Sequence, residues 1–226
     1  MKDSGLSWLG EIPEHWEVMP IKRVLYAITD TEHKTAPAVN EGKYLVARTT
    51  NIKEGRLVFD GAYYTDENGF LEWTRRGIPV AGDILFTREA PAGEACIVPK
   101  ETELCIGQRV VLLRVNHRRI LADFLLNSLY SGAANIFIRV MSQGSTVPHI
   151  NMGDIPMIPV FFFFFDEQCE ITDFICSQSQ KMDGLISAYS RQLTLLAEYR
   201  AALIHECVTG RRAVPDDFNP GDYTND

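Results

Sequence analysis

Apolar residues follow three different rhythms along this 226-residue chain. Between about Tyr44 and Val115 they come in short runs closed by Gly42, Gly55, Gly61, Gly82, Gly93 and Gly107. That pattern predicts strands over residues 44–50, 56–59, 83–88, 95–98 and 110–115. Residues 121–130 and 133–141 have helical spacing and are split by Ser131-Gly132. Residues 21–28 share that spacing behind Pro20, which a helix tolerates in its first turn, and predict a further helix.

The third rhythm is a heptad. Ile175, Met182, Tyr189, Leu196 and Leu203 recur at sevens, with Ile171, Leu185 and Tyr199 at the alternate position and Ile186 and Leu193 beside it. Acidic Asp166, Glu167, Glu170 and Asp173 crowd the start and Arg200, Arg211 and Arg212 the end, as the helix dipole prefers. Gly210 is placed to stop the helix. About 43 residues make a rod of roughly 64 Å, longer than one small domain covers, so the seam calls for a partner helix. Gln178 and Gln192 interrupt it, a device that fixes register at a cost in stability. The fold class expected is α+β, a β-rich domain followed by a long coiled-coil-type helix.

Two irregular segments frame the globular part. The opening, with Trp8, Gly10, Pro13 and Trp16, reads as an arm pinned by its tryptophans. Residues 161–165 are five phenylalanines in a row, which have no period and are expected to be wedged between two elements. The apolar run that contains them, residues 155–165, is far shorter than the roughly 20 residues needed to cross a bilayer. The start of the chain lacks the apolar core of a signal peptide, so a cytoplasmic, non-membrane protein is expected. Five cysteines without C-x-x-C spacing read as reduced structural thiols.

Charge adds a hint. The chain carries 22 Lys+Arg against 30 Asp+Glu, a net charge of −8, yet residues 43–139 are net +2 and residues 166–226 net −6. Arginine outnumbers lysine 15 to 7, and its planar fork suits phosphates and guanine edges. No phosphate-cradling glycine loop, dinucleotide fingerprint or zincin motif occurs, and His15, His33, His117, His149 and His205 lack ligand spacing, so no metal is expected. Asp83 and Glu94, with Lys100 further on, lack the Glu-x-Lys element of a nuclease because Cys96 holds that position; both carboxylates read as turn and surface residues.

Four blocks resemble the specificity subunits of type I restriction-modification enzymes. They are residues 3–16 (Asp-Ser-Gly-Leu-Ser-Trp-Leu-Gly-Glu-Ile-Pro-Glu-His-Trp); residues 82–91 with Gly107-Gln108-Arg109 ahead of Leu112-Leu113-Arg114; residues 142–151; and Asp166-Glu167-Gln168 with the later Val208-Thr209-Gly210. The resemblance implies an arm at 1–16, a target-recognition domain at 17–160, a dimerisation and spacer helix at 161–210 and an acidic tail at 211–226. It further implies a non-catalytic subunit without its own cofactor, bound to double-stranded DNA, to a methyltransferase subunit that uses S-adenosylmethionine and to an ATP-dependent restriction subunit. A full-length member resembles two copies of this unit, so the chain looks like a half that pairs with itself antiparallel. The phenylalanine run stands where the family usually has proline- and leucine-rich sequence.

Base-reading candidates are Arg48, Thr49 and Thr50, then Arg88 and Glu89, then Gln143, Ser145, Thr146 and His149. Arg75, Arg76, Arg118 and Arg119 are candidates for phosphate contacts. The dimer seam comprises Ile171, Ile175, Met182, Leu185, Tyr189, Leu196, Tyr199 and Leu203. The alternatives are a protein-interaction adaptor using the heptad helix, and a truncated modulator of a full-length specificity subunit.

Overall fold

Ile84, Leu85 and Phe86 are wholly buried, which marks their strand, Ile84–Arg88, as covered on both faces. In the computed structural model it lies inside a four-stranded antiparallel sheet, in the spatial order Ala92–Ile97, Ile84–Arg88, Val110–Val115, Leu25–Asp30. Side chains alternate between faces, so Ile84, Phe86, Val111 and Leu113 enter one core and Leu85, Val110 and Leu112 another. Two consecutive helices, Ala122–Tyr130 and Gly132–Met141, pack against the first face, and a three-stranded sheet packs against the second. In that sheet Leu104–Ile106 runs parallel to Tyr44–Ala47, which pairs antiparallel with Tyr64–Thr65. The structure describes residues 1–31, 34, 36–142, 148–215 and 218.

Helix α1 (Glu67–Trp73) is capped by Asp66, whose carboxylate accepts from the Gly69 amide at 2.8 Å. Helices α2 (Ala122–Tyr130) and α3 (Gly132–Met141) bury Phe124, Leu125, Leu129, Ala133, Ala134 and Ile138. Their break falls at Ser131, whose hydroxyl donates to the Ser128 carbonyl at 2.7 Å. These two helices match the expected spans within a residue.

The helix expected over 21–28 is corrected. Ile21–Arg23 form a single 3-10 turn and Leu25–Asp30 an edge strand paired with Val111–Val115. Eight residues are too few to separate helical from extended spacing, and the open edge of Val110–Val115 supplies a ladder that an isolated two-turn helix cannot match. Leu104–Ile106, Tyr64–Thr65 and α1 have no counterpart among the expected elements; the two strands are only two or three residues long.

The phenylalanine run splits three ways. Phe161 and Phe162 belong to the strand Pro159–Phe162, paired antiparallel with Glu17–Pro20. Phe163 is buried, stacked on Trp16 (centroids 4.0 Å apart, 10° between planes) with its edge against Phe124. Phe164 is 74% exposed, and Phe165 opens helix α4 (Phe165–Val208). The helix therefore starts at Phe165, four residues after the expected boundary, because the strand takes the preceding ones.

By its contacts the chain divides into two units, Met1–Thr172 and Asp173–Asp226. The first holds the sheets and α1–α3. The second consists of α4 from Asp173 onward and the residues C-terminal to it. The helix ends as expected at Gly210, whose φ of +74° lets the Arg211 amide reach back to the Glu206 carbonyl at 2.9 Å. Cys96 and Cys105 are buried and desolvation pushes both thiols up to about 12, the inert state expected of structural cysteines. Among the described residues no helix is long and apolar enough to cross a membrane.

Candidate nucleic-acid interface

Ladder bonds bring four separate stretches to one end of the four-stranded sheet. The Gly107 amide donates to the Ala47 carbonyl (2.7 Å), the Arg88 amide to Arg109 (3.0 Å) and the Ile150 amide to Arg88 (2.8 Å). Glu89 and His149 face each other as an isolated β-bridge. Arg48, Thr49, Thr50, Arg88, Glu89 and His149 are thus neighbours although 101 residues separate the first from the last. Gln143, Ser145 and Thr146 lie outside the described residues. Arg76 joins the group as well, donating to the Asp30 and Thr31 carbonyls at 3.5 and 3.2 Å. Arg75 is exposed beside it.

The local geometry is held from behind. Buried Asn51 closes the 3-10 turn Thr49–Asn51, accepting from the Arg48 amide at 3.2 Å and donating to the Val58 carbonyl at 3.0 Å. The Arg48 guanidinium donates to the Gly61 carbonyl (2.7 Å) and lies 4.4 Å from the centroid of the Tyr63 ring. Burial pushes the Tyr63 phenol up, with the Arg48 charge opposing it. Arg88 pairs with Asp30 at 3.6 Å and Arg109 with Glu89 at 3.3 Å. Arg48, Thr49, Thr50, Gln108 and Arg109 together line a shallow cleft of about 250 Å³. Gln108 and Arg109 are not among the base-reading or phosphate candidates read from the sequence. The signal that marks them is the turn between Gly107 and the strand 110–115, where Arg109 takes φ +74°, a conformation that costs a non-glycine residue about 1–2 kcal/mol.

Arg118 and Arg119 do not join this group. They follow the other end of the strand Val110–Val115, about 20 Å away at 3.4 Å per residue. There they line a second cleft of about 380 Å³ with His15, Glu17 and Phe162–Phe165, and the Arg119 guanidinium sits 5.2 Å from the Phe162 centroid.

The reading of Asp83 as a surface residue is corrected. It is fully buried, paired with Arg114 at 3.0 Å and accepting from the Val80 amide at 3.0 Å. Burial pushes its carboxyl up, against the lowering effect of the Val80 amide and Arg114. Glu94 is half-buried and accepts from the Glu54 amide (2.7 Å) and the Tyr130 hydroxyl (2.9 Å). Both carboxylates are engaged in holding the fold. Among the described residues no cluster of three or more His, Cys, Asp or Glu could hold a metal.

Two of the sequence blocks that carried the family resemblance meet in space. Glu167 accepts from the Trp16 indole (3.0 Å) and pairs with His15 (2.8 Å). Gln168 is wholly buried; its oxygen accepts from the Leu121 amide (3.1 Å) and its nitrogen donates to Phe163 (3.0 Å) and Arg119 (3.4 Å) carbonyls. Ile171 packs against the first core, so it is engaged there. Further along α4 the heptad residues Met182, Leu185, Tyr189, Leu196 and Tyr199 are each 58–63% exposed, an apolar face without cover among the described residues. Ile175 and Leu203 are half-buried.

No protein-family model matches the sequence. The putative type I restriction enzyme MjaX specificity subunit of Methanocaldococcus jannaschii is 24% identical over 208 residues, covering 89% of this chain and 47% of that protein. Among solved structures, the HsdS subunit from Thermoanaerobacter tengcongensis matches with a TM-score of 0.62 at 15% identity, over 94% of this chain and 54% of that one. The type I restriction-modification S subunit from M. genitalium matches with a TM-score of 0.55 at 15% identity, over 82% of this chain and 44% of its own. A chain from a structure of type I restriction-modification complex assembly and conformational transition matches with a TM-score of 0.65 at 16% identity, over 89% and 47%. This chain spans about half the length of each. It has the fold of the type I restriction-modification specificity subunits and is similar, over most of its length, to one half of such a subunit.

Proposed function

We propose that this chain is a DNA-recognition subunit of a type I restriction-modification complex, reading one half-site and acting as a homodimer on a bipartite palindromic target. The observation that carries the reading is the exposed heptad face of α4 on a fold that matches one half of a specificity subunit. A second copy, laid antiparallel about a two-fold axis, sets Tyr189 against itself, Met182 against Leu196 and Ile175 against Leu203. Such a dimer presents identical reading heads in inverted orientation, and inverted heads select an inverted repeat. The polar group around Arg48, Arg88 and Arg109 supplies donors for phosphates and base edges. The α4 pair acts as the ruler between half-sites.

The chain itself does no chemistry in this reading. A methyltransferase subunit brings S-adenosylmethionine and a restriction subunit brings ATP-driven motor activity; the specificity subunit places them on the target. The test is selection from a random duplex pool with the purified chain and its methyltransferase, with sedimentation velocity on the chain alone. A dimer and an enriched bipartite palindrome are expected. A monomer, or a pool with no enriched motif, would refute the reading.

A further inference from the structure

We propose that the cleft lined by Arg48, Thr49, Thr50, Gln108 and Arg109 is a phosphodiester site, a sequence-independent clamp on the DNA backbone rather than a base-reading surface. The proposal rests on the DNA-recognition reading and assigns one part of that interface. Guanine is read by arginine through two parallel N–H bonds. Arg48 has no such pair to offer: its Nη2 donates to the Gly61 carbonyl, its Nε is buried and its face lies on Tyr63. Arg109 keeps both Nη groups, but Glu89 engages its Nε and holds the guanidinium at the cleft. Each can still offer a fixed positive charge and the remaining donors.

Two further features fit a phosphate. Thr49 and Thr50 add neutral hydroxyl donors of the kind that commonly contact phosphates. Finally, the turn carrying Gln108 and Arg109 is braced by close packing: Gly107 lies so near Ala47 that a Cβ there would sit 3.1 Å from its carbonyl oxygen and from the Arg48 Cγ, and the Gly107 amide donates to that carbonyl. Such bracing suits a contact that sets register on the duplex. Arg88 and His149 lie beside the clamp, and Glu89 joins it through its pair with Arg109.

The test uses the full chain with its methyltransferase and two probes, the duplex enriched in selection and a random-sequence duplex of equal length. For Arg109→Gln and for Arg48→Gln, affinity is expected to fall by the same factor on both probes. The slope of log K against log salt should become shallower by about 0.9 for each phosphate no longer neutralised, with the selected motif unchanged. A motif relaxed at one position would show base reading and overturn the proposal, as would unchanged affinity and slope. Because Arg48 also braces Gly61, each variant is checked by thermal melting; Arg109→Gln, at a half-exposed side chain, carries the test if Arg48→Gln unfolds. A wild-type complex that enriches no motif overturns the DNA-recognition reading itself and this site with it, an outcome distinct from a failing variant.

Discussion

Replacing Gln168 by leucine keeps the side chain's bulk and removes every hydrogen bond by which that side chain ties the first turn of α4 to its surroundings. The Leu121 amide loses its acceptor, and the Phe163 and Arg119 carbonyls lose a donor, at a residue with no solvent exposure. An orphaned buried N–H costs about 1–3 kcal/mol, and a carbonyl with a second lone pair costs less. The 3.4 Å bond to Arg119 is weak and adds little. The total is about 2–4 kcal/mol, a large share of the roughly 5–15 kcal/mol typical of a folded domain. Urea unfolding at one fixed protein concentration measures it, followed by far-UV circular dichroism and by the fluorescence of Trp16, which stacks on Phe163 beside the lesion. Glu170→Ala, at an exposed position of the next turn, should stay within about 0.5 kcal/mol. If Gln168→Leu also stays within about 0.5 kcal/mol of wild type, the amide is not what anchors α4.

Three other outcomes are expected. Asp83→Ala leaves the Val80 amide without its buried acceptor and Arg114 with only the Ile78 carbonyl, and should cost about 1–3 kcal/mol in the same urea assay, whereas a surface carboxylate would cost almost nothing. Burial pushes the Glu167 carboxyl up, but hydrogen bonds from Trp16 and His15 outweigh it and hold it below the usual range. Its contribution to stability is therefore present above the unfolded value of about 4.3 and lost as pH falls through the lowered folded value. Glu167→Gln keeps an acceptor for the indole without the charge, so the wild-type advantage in Tm should shrink as pH drops below about 4; an advantage constant from about pH 6 to 3 would contradict the assignment. Duplicating one heptad within α4 adds about 10.5 Å and preserves the seam, so the spacer of the selected motif should grow by about three base pairs at 3.4 Å each. An unchanged spacer would remove the ruler role.

What can be read from sequence tracks the length of each pattern. The heptads of α4 and the spans of α2 and α3 stand out because each repeats one period for two turns or more, and the helix end at Gly210 follows from its chemistry. The Leu25–Asp30 strand reads as a helix because its pairing partner lies more than 80 residues away, and a short apolar run carries no sign of its neighbour. Asp83 reads as a surface residue because burial belongs to the fold and leaves no mark on the residue itself. The candidate site is half visible. Arg48, Arg88 and His149 lie at strand ends and turns as expected, but their convergence depends on ladder bonds from Gly107 and Ile150 that no local pattern announces. The same bonds carry Arg109 into the site and leave Arg118 and Arg119 at the far end of the sheet.

Whether this chain specifies a DNA target is best decided by methylation-sensitive long-read sequencing of DNA from cells that carry the partner methyltransferase, with and without this gene. One bipartite, palindromic motif is expected to be methylated only when the gene is present. If every methylated motif persists in its absence while the methyltransferase is active, the chain does not choose the target and the proposed role fails.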